Sequence, residues 1–222
     1  MLNILALGAG VQSSCLLLLA CHEKVKPRLD LCIFADTKWE PPAVYDHLEW
    51  LTEYARGYGI PVVKVAAKGD LREDYIQHMS PTGDGRHCAN IPVYTRSPND
   101  DLGINMRGCT AAFKINPVKT YLRRTVLGLA KGQHAPKELK ILQWMGISYD
   151  ELQRMKDSRE PWMRNVFPFC NYPTPYFKTP WRRSDCRRWL DKHFPNRHIP
   201  RSACIGCPYH SNEEWRRLKE ED

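Results

Sequence analysis

The opening run, residues 1–19, constrains this chain more than any other stretch. Leu2-Asn3-Ile4-Leu5-Ala6-Leu7 has the pattern of a short apolar strand, Gly8-Ala9-Gly10 that of a turn, and Val11-Gln12-Ser13-Ser14-Cys15-Leu16-Leu17-Leu18-Leu19 that of a Leu-rich helix. Strand, glycine turn and helix in that order bring several backbone N–H groups and the positive end of a helix to one point. Such a point stabilises a phosphate or a sulfate. Nucleotide-binding α/β domains begin in this way, so the fold class is constrained early.

The turn carries neither the G-x-G-x-x-G of dinucleotide sites nor the G-x-x-x-x-G-K-[ST] of the P-loop. Gly8 and Gly10 permit close backbone approach, and the hydroxyls of Ser13 and Ser14 can add donors. Taken alone these residues leave two readings open. One is an anion site; the other is a tight strand-to-helix turn capped by Ser13, worth about 1 kcal/mol.

Further along, Leu29–Ala35, Ile60–Val65 and Leu139–Met145 read as strands, and Pro42–Tyr58 as a helix that stops at Gly59. Strands alternating with helices predict an α/β fold with a Rossmann-like, doubly wound parallel sheet. Residues 1–150 are expected to form the nucleotide-binding α/β domain. Residues 151–222, rich in Pro, Trp, Arg and Cys, are expected to be an irregular extension packed on it in the same globular unit. Within that extension a helix is predicted over Ser184–Phe194. Pro117–Gly132 reads as a basic helix, and Pro81–Arg107 as a long loop, either a functional one in which Arg86, His87, Tyr94 and Arg96 could close over a nucleotide or a disordered surface segment. Ser148-x-x-Glu151 and Ser211-x-x-Glu214 are spaced as capping boxes that open helices.

With 222 residues the chain can bury one substantial core, and its 42% hydrophobic and 26% charged residues are ordinary for a globular protein. No apolar stretch is long enough to span a bilayer. The start of the chain lacks a basic segment and a cleavage site, which predicts a cytoplasmic protein without membrane association. Charge is unevenly placed. Residues 1–106 carry 10 Lys/Arg against 13 Asp/Glu, and residues 107–222 carry 23 against 12. A basic half of this kind suits a polyanion such as a nucleic acid, although long basic side chains also simply solvate helix faces.

Nine cysteines in a cytosolic chain argue against a disulfide framework. Cys15, Cys21 and Cys32 lie in apolar sequence and read as small core residues. Cys204-Ile205-Gly206-Cys207 places two thiols at metal-sharing distance, with Cys109 and His210 as further ligands. Three cysteines suit a [4Fe–4S] cluster with one open iron, and the four residues together suit a tetrahedral zinc site. A redox-active dithiol at Cys204 and Cys207, or unconnected thiols, are the other readings of the same residues. Cys170 and Cys186 are reserve ligands or sulfur carriers, or else structural residues.

Together these segments resemble the phosphoadenosine-phosphosulfate reductase-like branch of the adenine nucleotide α-hydrolase, or PP-loop ATP pyrophosphatase, superfamily. Gly8-Ala9-Gly10-Val11-Gln12-Ser13-Ser14 resembles its S-G-G-x-D-S loop, and Phe34-Ala35-Asp36-Thr37-Lys38-Trp39-Glu40-Pro41 its second-strand D-T-G motif. Cys109-Thr110-Ala111-Ala112-Phe113-Lys114-Ile115-Asn116-Pro117 is similar to a C-x-x-x-x-K-x-x-P stretch. Cys204-Ile205-Gly206-Cys207 is similar to the downstream C-x-x-C. The matches keep the family's order across nearly the whole chain. Gln12 stands where the loop usually carries an acid, Lys38 where D-T-G carries glycine, and Thr110 where cluster-bearing reductases carry a second cysteine. The E-C-G-L-H tail with the reductases' catalytic cysteine is absent from Lys219-Glu220-Glu221-Asp222.

The resemblance implies ATP with Mg2+ as the nucleotide, its anion held by Gly8, Ala9, Gly10, Gln12, Ser13 and Ser14. It places Ala35, Asp36 and Thr37 near the adenosine and Lys114 near the phosphates, with Ser13, Asp36 and Lys114 the expected catalytic group. It implies a sulfurtransferase-like enzyme that adenylates an acceptor and replaces AMP with sulfur, with tRNA or DNA on the basic half and a donor such as a cysteine desulfurase. Reduction of adenylyl sulfate or its 3′-phosphate is an alternative, and a non-catalytic nucleotide- or DNA-binding component is a third reading.

Overall fold

A computed structural model of the chain describes residues 1–79, 90–96, 99–104 and 106–221. Along the chain lie β1 (Leu2–Leu7), α1 (Val11–Cys21), β2 (Leu31–Asp36), α2 (Pro42–Gly57), β3 (Val62–Ala66) and α3 (Leu71–Met79). They are followed by β4 (Tyr94–Arg96), β5 (Leu102–Ile104), α4 (Asn116–Tyr121), β6 (Ile141–Met145), β7 (Met163–Val166), α5 (Arg183–His193) and α6 (Asn212–Glu221). The residues divide into two compact units that interleave in sequence. The first comprises Met1–Phe34, Pro42–Lys64 and Arg123–Ser202; the second comprises Ala35–Pro41, Val65–Leu122 and Ala203–Asp222.

The first unit is built on a five-stranded, all-parallel sheet of order β3-β2-β1-β6-β7, flanked by helices. β1 is central, pairing Leu5 with Cys32 on one side and Leu5 with Trp144 on the other. After β1 the chain winds outward through β2 and β3, then returns to place β6 and β7 on the opposite side. The reversal falls between β1 and β6, the topological switch point where open α/β sheets bind ligands beyond the carboxyl ends of their strands.

α1 is buried along all its residues, Val11 to Cys21. A helix apolar all round belongs inside a core, and the Leu-rich run has that character. α2 by contrast is amphipathic, burying Val44, Leu48, Leu51 and Ala55 at the spacing its sequence predicts. Gly59 follows at φ +67°, the left-handed conformation that ends a helix cheaply only for glycine.

Two expectations for the later sequence are corrected here. Residues 151–202 are not an irregular appendage to the sheet unit. β7 is an edge strand of the sheet, and α5 contributes Cys186 and Leu190 to the same buried core as Leu5, Leu16 and Trp144. Compact parts therefore do not separate at residue 150. The Pro81–Arg107 stretch also contains structure, for β4 and β5 pair antiparallel with Tyr94 opposite Ile104. Arg86 and His87 lie outside the described residues. Tyr94 is 73% exposed, and Arg96 forms an exposed ion pair with Asp100.

The second unit has a small core of its own, in which Leu71, Ile91, Phe113 and Cys204 are buried, with Trp39, Tyr75 and Cys109 packed against them. The expected helix over Pro117–Gly132 begins earlier and ends sooner. α4 is preceded by a π-helical turn, Thr110–Ile115, and followed by another, Leu122–Val126. Ser211 and Glu214 form the predicted box on α6: Ser211 N donates to Glu214 Oε2 at 3.0 Å, and Glu214 N to Ser211 Oγ at 3.2 Å. No helix among the described residues is long and apolar enough to cross a membrane.

Candidate functional site

Within the first unit, the turn after β1 delivers Gly10 as the N-cap of α1, with φ −100° and ψ −178° and no side-chain cap among the described residues. Ser13 is therefore not the cap that its position suggests. Its Oγ instead accepts from Gly8 N at 3.1 Å and donates to Gly10 O at 3.3 Å, closing the loop on itself. Ala9 is fully buried at φ +53°, a left-handed conformation in which alanine is strained by about 1 kcal/mol. The first-turn amides of a helix have no intrahelical acceptors. The first-turn amides of α1 thus have no side-chain hydrogen-bond cap among the described residues.

Small residues surround this turn because backbone and side chains crowd it. A Cβ on Gly10 would fall 2.9 Å from Ser202 Cβ, and one on Gly146, just beyond β6, 2.8 Å from Ser13 N. Gly146 therefore lets the end of β6 meet the first turn of α1 at the switch point. Ser202 and Gly146 belong to the loop's surroundings through pairings that the primary sequence does not display, although a glycine directly after a strand is a signal for such an approach.

Gln12 is 6% exposed and commits its amide at both ends. Nε2 donates to Glu151 Oε2 at 2.8 Å and to Ser148 Oγ at 3.3 Å, while Oε1 accepts from Arg183 Nη1 at 2.6 Å. This explains why Ser148-x-x-Glu151 does not act as a capping box. The short 3-10 helix Tyr149–Arg154 starts there with no side-chain cap, and both box residues bond Gln12 instead.

Ser14 is fully buried and its Oγ lies 2.9 Å from Nε2 of the equally buried His47. Arg197 Nε donates to His47 Nδ1 at 3.4 Å, so Nδ1 is the acceptor and Nε2 carries the proton toward Ser14. A histidine with that polarity cannot take a proton from Ser14, which excludes a Ser–His nucleophile here. Burial, with Arg197 and His198 adding their charge, pushes the His47 pKa down to about 4.

Within the second unit, the strand end Ala35-Asp36-Thr37 leads into a turn. Asp36 Oδ1 accepts from Lys38 N at 2.7 Å, holding Lys38 at φ +60°. Lys38 in place of the glycine of D-T-G therefore keeps the left-handed conformation, supported by the aspartate. Thr37, fully buried, donates through Oγ1 to Glu40 Oε1 at 3.1 Å. Lys114 Nζ reaches the same Oε1 at 3.3 Å, and Cys204 Sγ donates to it at 3.3 Å. Three donors converge on one oxygen, while Glu40 Oε2 is buried and has no hydrogen bond among the described residues.

Charge in this cluster is largely self-compensated. Burial acts to lower the Lys114 pKa, but the Glu40 carboxylate outweighs it and the net shift is upward. Burial, with Glu40 next, pushes the Cys204 thiol up to about 12, so this cysteine is a protonated donor rather than a thiolate. The motif reading overlooked Glu40, for only the fold shows that a glutamate four residues past Asp36 turns inward.

Gly206 of the C-x-x-C has a packing role. A Cβ there would lie 2.3 Å from the Trp39 indole, so the residue is small because a ring covers it. His210 Nε2 lies 2.8 Å from Cys204 O and so carries the proton, leaving Nδ1 buried, 3.7 Å from Glu214 Oε2 and without a hydrogen bond among the described residues. An imidazole oriented by a carbonyl is a frequent metal-ligand posture. Even so, among the described residues no three His, Cys, Asp or Glu side chains are grouped to hold a metal ion. Cys109, Cys204, Cys207 and His210 as placed do not make a coordination sphere for a [4Fe–4S] cluster or zinc. Cys204 is engaged with Glu40 and Thr37 instead.

Of the remaining cysteines, Cys15, Cys21, Cys32 and Cys186 are buried in the sheet unit's core. Cys170 is half-buried, its thiol pushed up to about 11 by burial and by Asp150 and Glu151. No family model matches this chain, and no curated protein matches it.

Proposed function

We propose that this chain is an ATP-using enzyme of the PP-loop type that works in sulfur chemistry. The observation that carries the reading is the uncapped start of α1, reached through the Gly8–Gly10 turn at the switch point of a parallel sheet of order β3-β2-β1-β6-β7. In this reading the first-turn amides of α1 receive the phosphates of ATP, which arrives with Mg2+. An acceptor oxygen attacks the α-phosphorus, and the bond to the bridging oxygen breaks as pyrophosphate leaves. A sulfur nucleophile then displaces AMP. Backbone donors serve the leaving pyrophosphate, where negative charge accumulates.

The sulfur step rests on the family resemblance and on Cys109, Cys204 and Cys207, and no step is routed through a metal. The resemblance assigns Lys114 to the phosphates and Asp36 to the adenosine. For Lys114 to serve there, its ion pair with Glu40 must open, and Asp36 must keep its hold on the Lys38 turn. A nucleic-acid acceptor, tRNA or DNA, would use the basic residues of 107–222, and a cysteine desulfurase would be a fitting sulfur donor.

The test is release of pyrophosphate from ATP in the presence of candidate acceptors. Acceptor-dependent release supports the reading. Sulfite production from adenylyl sulfate with thioredoxin would replace it with a reductase. The commitment of the Gln12 amide to three partners favours one second reading, a component that holds the nucleotide without cleaving it. Tight ATP binding with no pyrophosphate from any acceptor would select that reading.

A further inference from the structure

We infer that Glu40 is a positioning residue that holds Lys114 in reserve, and that a phosphate-bearing nucleotide recruits the lysine by drawing it off this carboxylate. The inference rests on the nucleotide reading above and adds to it the regulation of that site.

Lys114 and Glu40 form an unequal pair. The Glu40 side chain is 1% exposed and that of Lys114 is 34% exposed. Every other Lys or Arg pair among the described residues uses a carboxylate side chain that is at least 23% exposed. The Glu40 carboxylate is therefore fixed inside the fold, whereas the ammonium reaches water on a flexible four-carbon stem. The lysine is the partner able to leave.

The contact is also loose. Nζ lies 3.3 Å from Oε1, against about 2.7–2.9 Å for a charge-assisted N–H···O bond. The more exposed pairs Lys140–Glu138 and Arg154–Glu151 close to 2.8 Å and 2.7 Å. Crowding accounts for the difference, because Thr37 Oγ1 at 3.1 Å and Cys204 Sγ at 3.3 Å donate to the same oxygen. Removing one partner of a buried pair ordinarily strands the other charge. Here two neutral donors stay on Oε1 after the lysine leaves, so Glu40 keeps part of its compensation. Thr37 and Cys204 in this way lower the cost of releasing Lys114. The backbone that carries the lysine is itself uncommon, a π-helical turn over Thr110–Ile115, a form that recurs at functional sites.

The ligand class that can make this exchange is a polyphosphate, which offers the ammonium several anionic oxygens in place of one shared carboxylate oxygen. Glu40 and the nucleotide then compete for Nζ.

The experiment is calorimetric titration of the full chain with ATP in the presence of Mg2+. Glu40→Gln should bind ATP at least threefold more tightly than wild type, and Lys114→Met at least tenfold more weakly. The gain must pass through the lysine, so Glu40→Gln combined with Lys114→Met should bind within twofold of Lys114→Met alone. Thermal melts accompany each titration. Glu40→Gln is expected to lose stability while it gains affinity, which a merely structural role would not produce. Should Glu40→Gln not fold, Cys204→Ala carries the test: with one donor fewer, Glu40 leans harder on Lys114, and ATP binding should weaken at least twofold. Binding by Glu40→Gln that is unchanged or weaker overturns the inference, as does a gain that persists without Lys114 or a Lys114→Met variant that binds like wild type. In each of those cases wild type still binds ATP and the nucleotide reading stands. If wild type does not bind ATP, both fall.

Discussion

The polar network at the start of α1 and the network around Glu40 use similar groups and differ in what they leave over. Around Glu40, a lysine, a threonine and a thiol all donate to one carboxylate oxygen, and the positive and negative charges meet. At the start of α1, a neutral amide stands between Arg183 and Glu151, so the arginine is oriented while its charge is retained. The Glu40 network is closed and must rearrange before it can act on anything. The network at the start of α1 holds its cation through a neutral amide, beside helix amides with no side-chain cap. Burial alone does not separate them, since Gln12 and Glu40 are 6% and 4% exposed. Partner charge does.

The contrast can be attacked most strongly with acid. His47, hydrogen-bonded to Ser14 of α1, has its pKa pushed down to about 4 from an ordinary 6.5. Below 6.5 the unfolded chain takes up a proton that the folded chain refuses. The stability is therefore complete above that pH and is lost as pH falls toward 4. The loss should approach 3 kcal/mol, roughly, across that window. Denaturant melts from pH 7 to pH 4 should show this slope in wild type and a shallower one in His47→Gln. Equal slopes would remove His47 as its cause.

Next in size is Glu40→Gln. The change leaves Lys114 facing a neutral amide beside a buried thiol, and should cost about 2 kcal/mol, less than a fully buried pair because the lysine retains some water. Chemical denaturation measures it, and Glu40→Gln combined with Lys114→Met should recover part of the loss. If Glu40→Gln is neutral, the cluster is not held by its charges.

Gly146→Ala should cost about 1–2 kcal/mol, because the new methyl must displace the backbone at Ser13. The informative readout is nucleotide binding, which should weaken together with stability if the first turn of α1 is the site. Smallest is Ser13→Ala, which removes the link between Gly8 N and Gly10 O and should cost about 1 kcal/mol in melting experiments. An unchanged melting temperature would show that the loop holds its shape without that hydroxyl.

Much of the fold was legible in the chain. The periodicity of Val44, Leu48, Leu51 and Ala55 marked the buried face of α2. The Leu-rich run marked α1 as a helix, its enclosure on all sides being shown only by the fold, and the strands β1, β2, β3 and β6 followed from short apolar segments between turn residues. β7 escaped notice because Met163-Arg164-Asn165-Val166 is brief and half polar, and only pairing with β6 makes it a strand. The capping-box spacing at Ser148 and Glu151 misled for a similar reason. Spacing reports what two side chains can do for their own helix, and a third residue 139 positions from Glu151 outbid that local use.

The chain's own order determined the strand–turn–helix at its start and the segregation of basic residues toward the end, because these depend on neighbours in sequence. The alternation of strands and helices predicted a parallel sheet, whose pairing is long-range. The tertiary structure alone decided which charges meet. It brought Glu40 to Lys114 and Cys204, and it set Gln12 between Arg183 and Glu151. Electrostatic interaction depends on separation through space and on exclusion of water, neither of which is encoded by position along the chain. The opening turn is where we propose that an anion is received, and folding set Gln12 of the helix that follows it against Arg183 and Glu151.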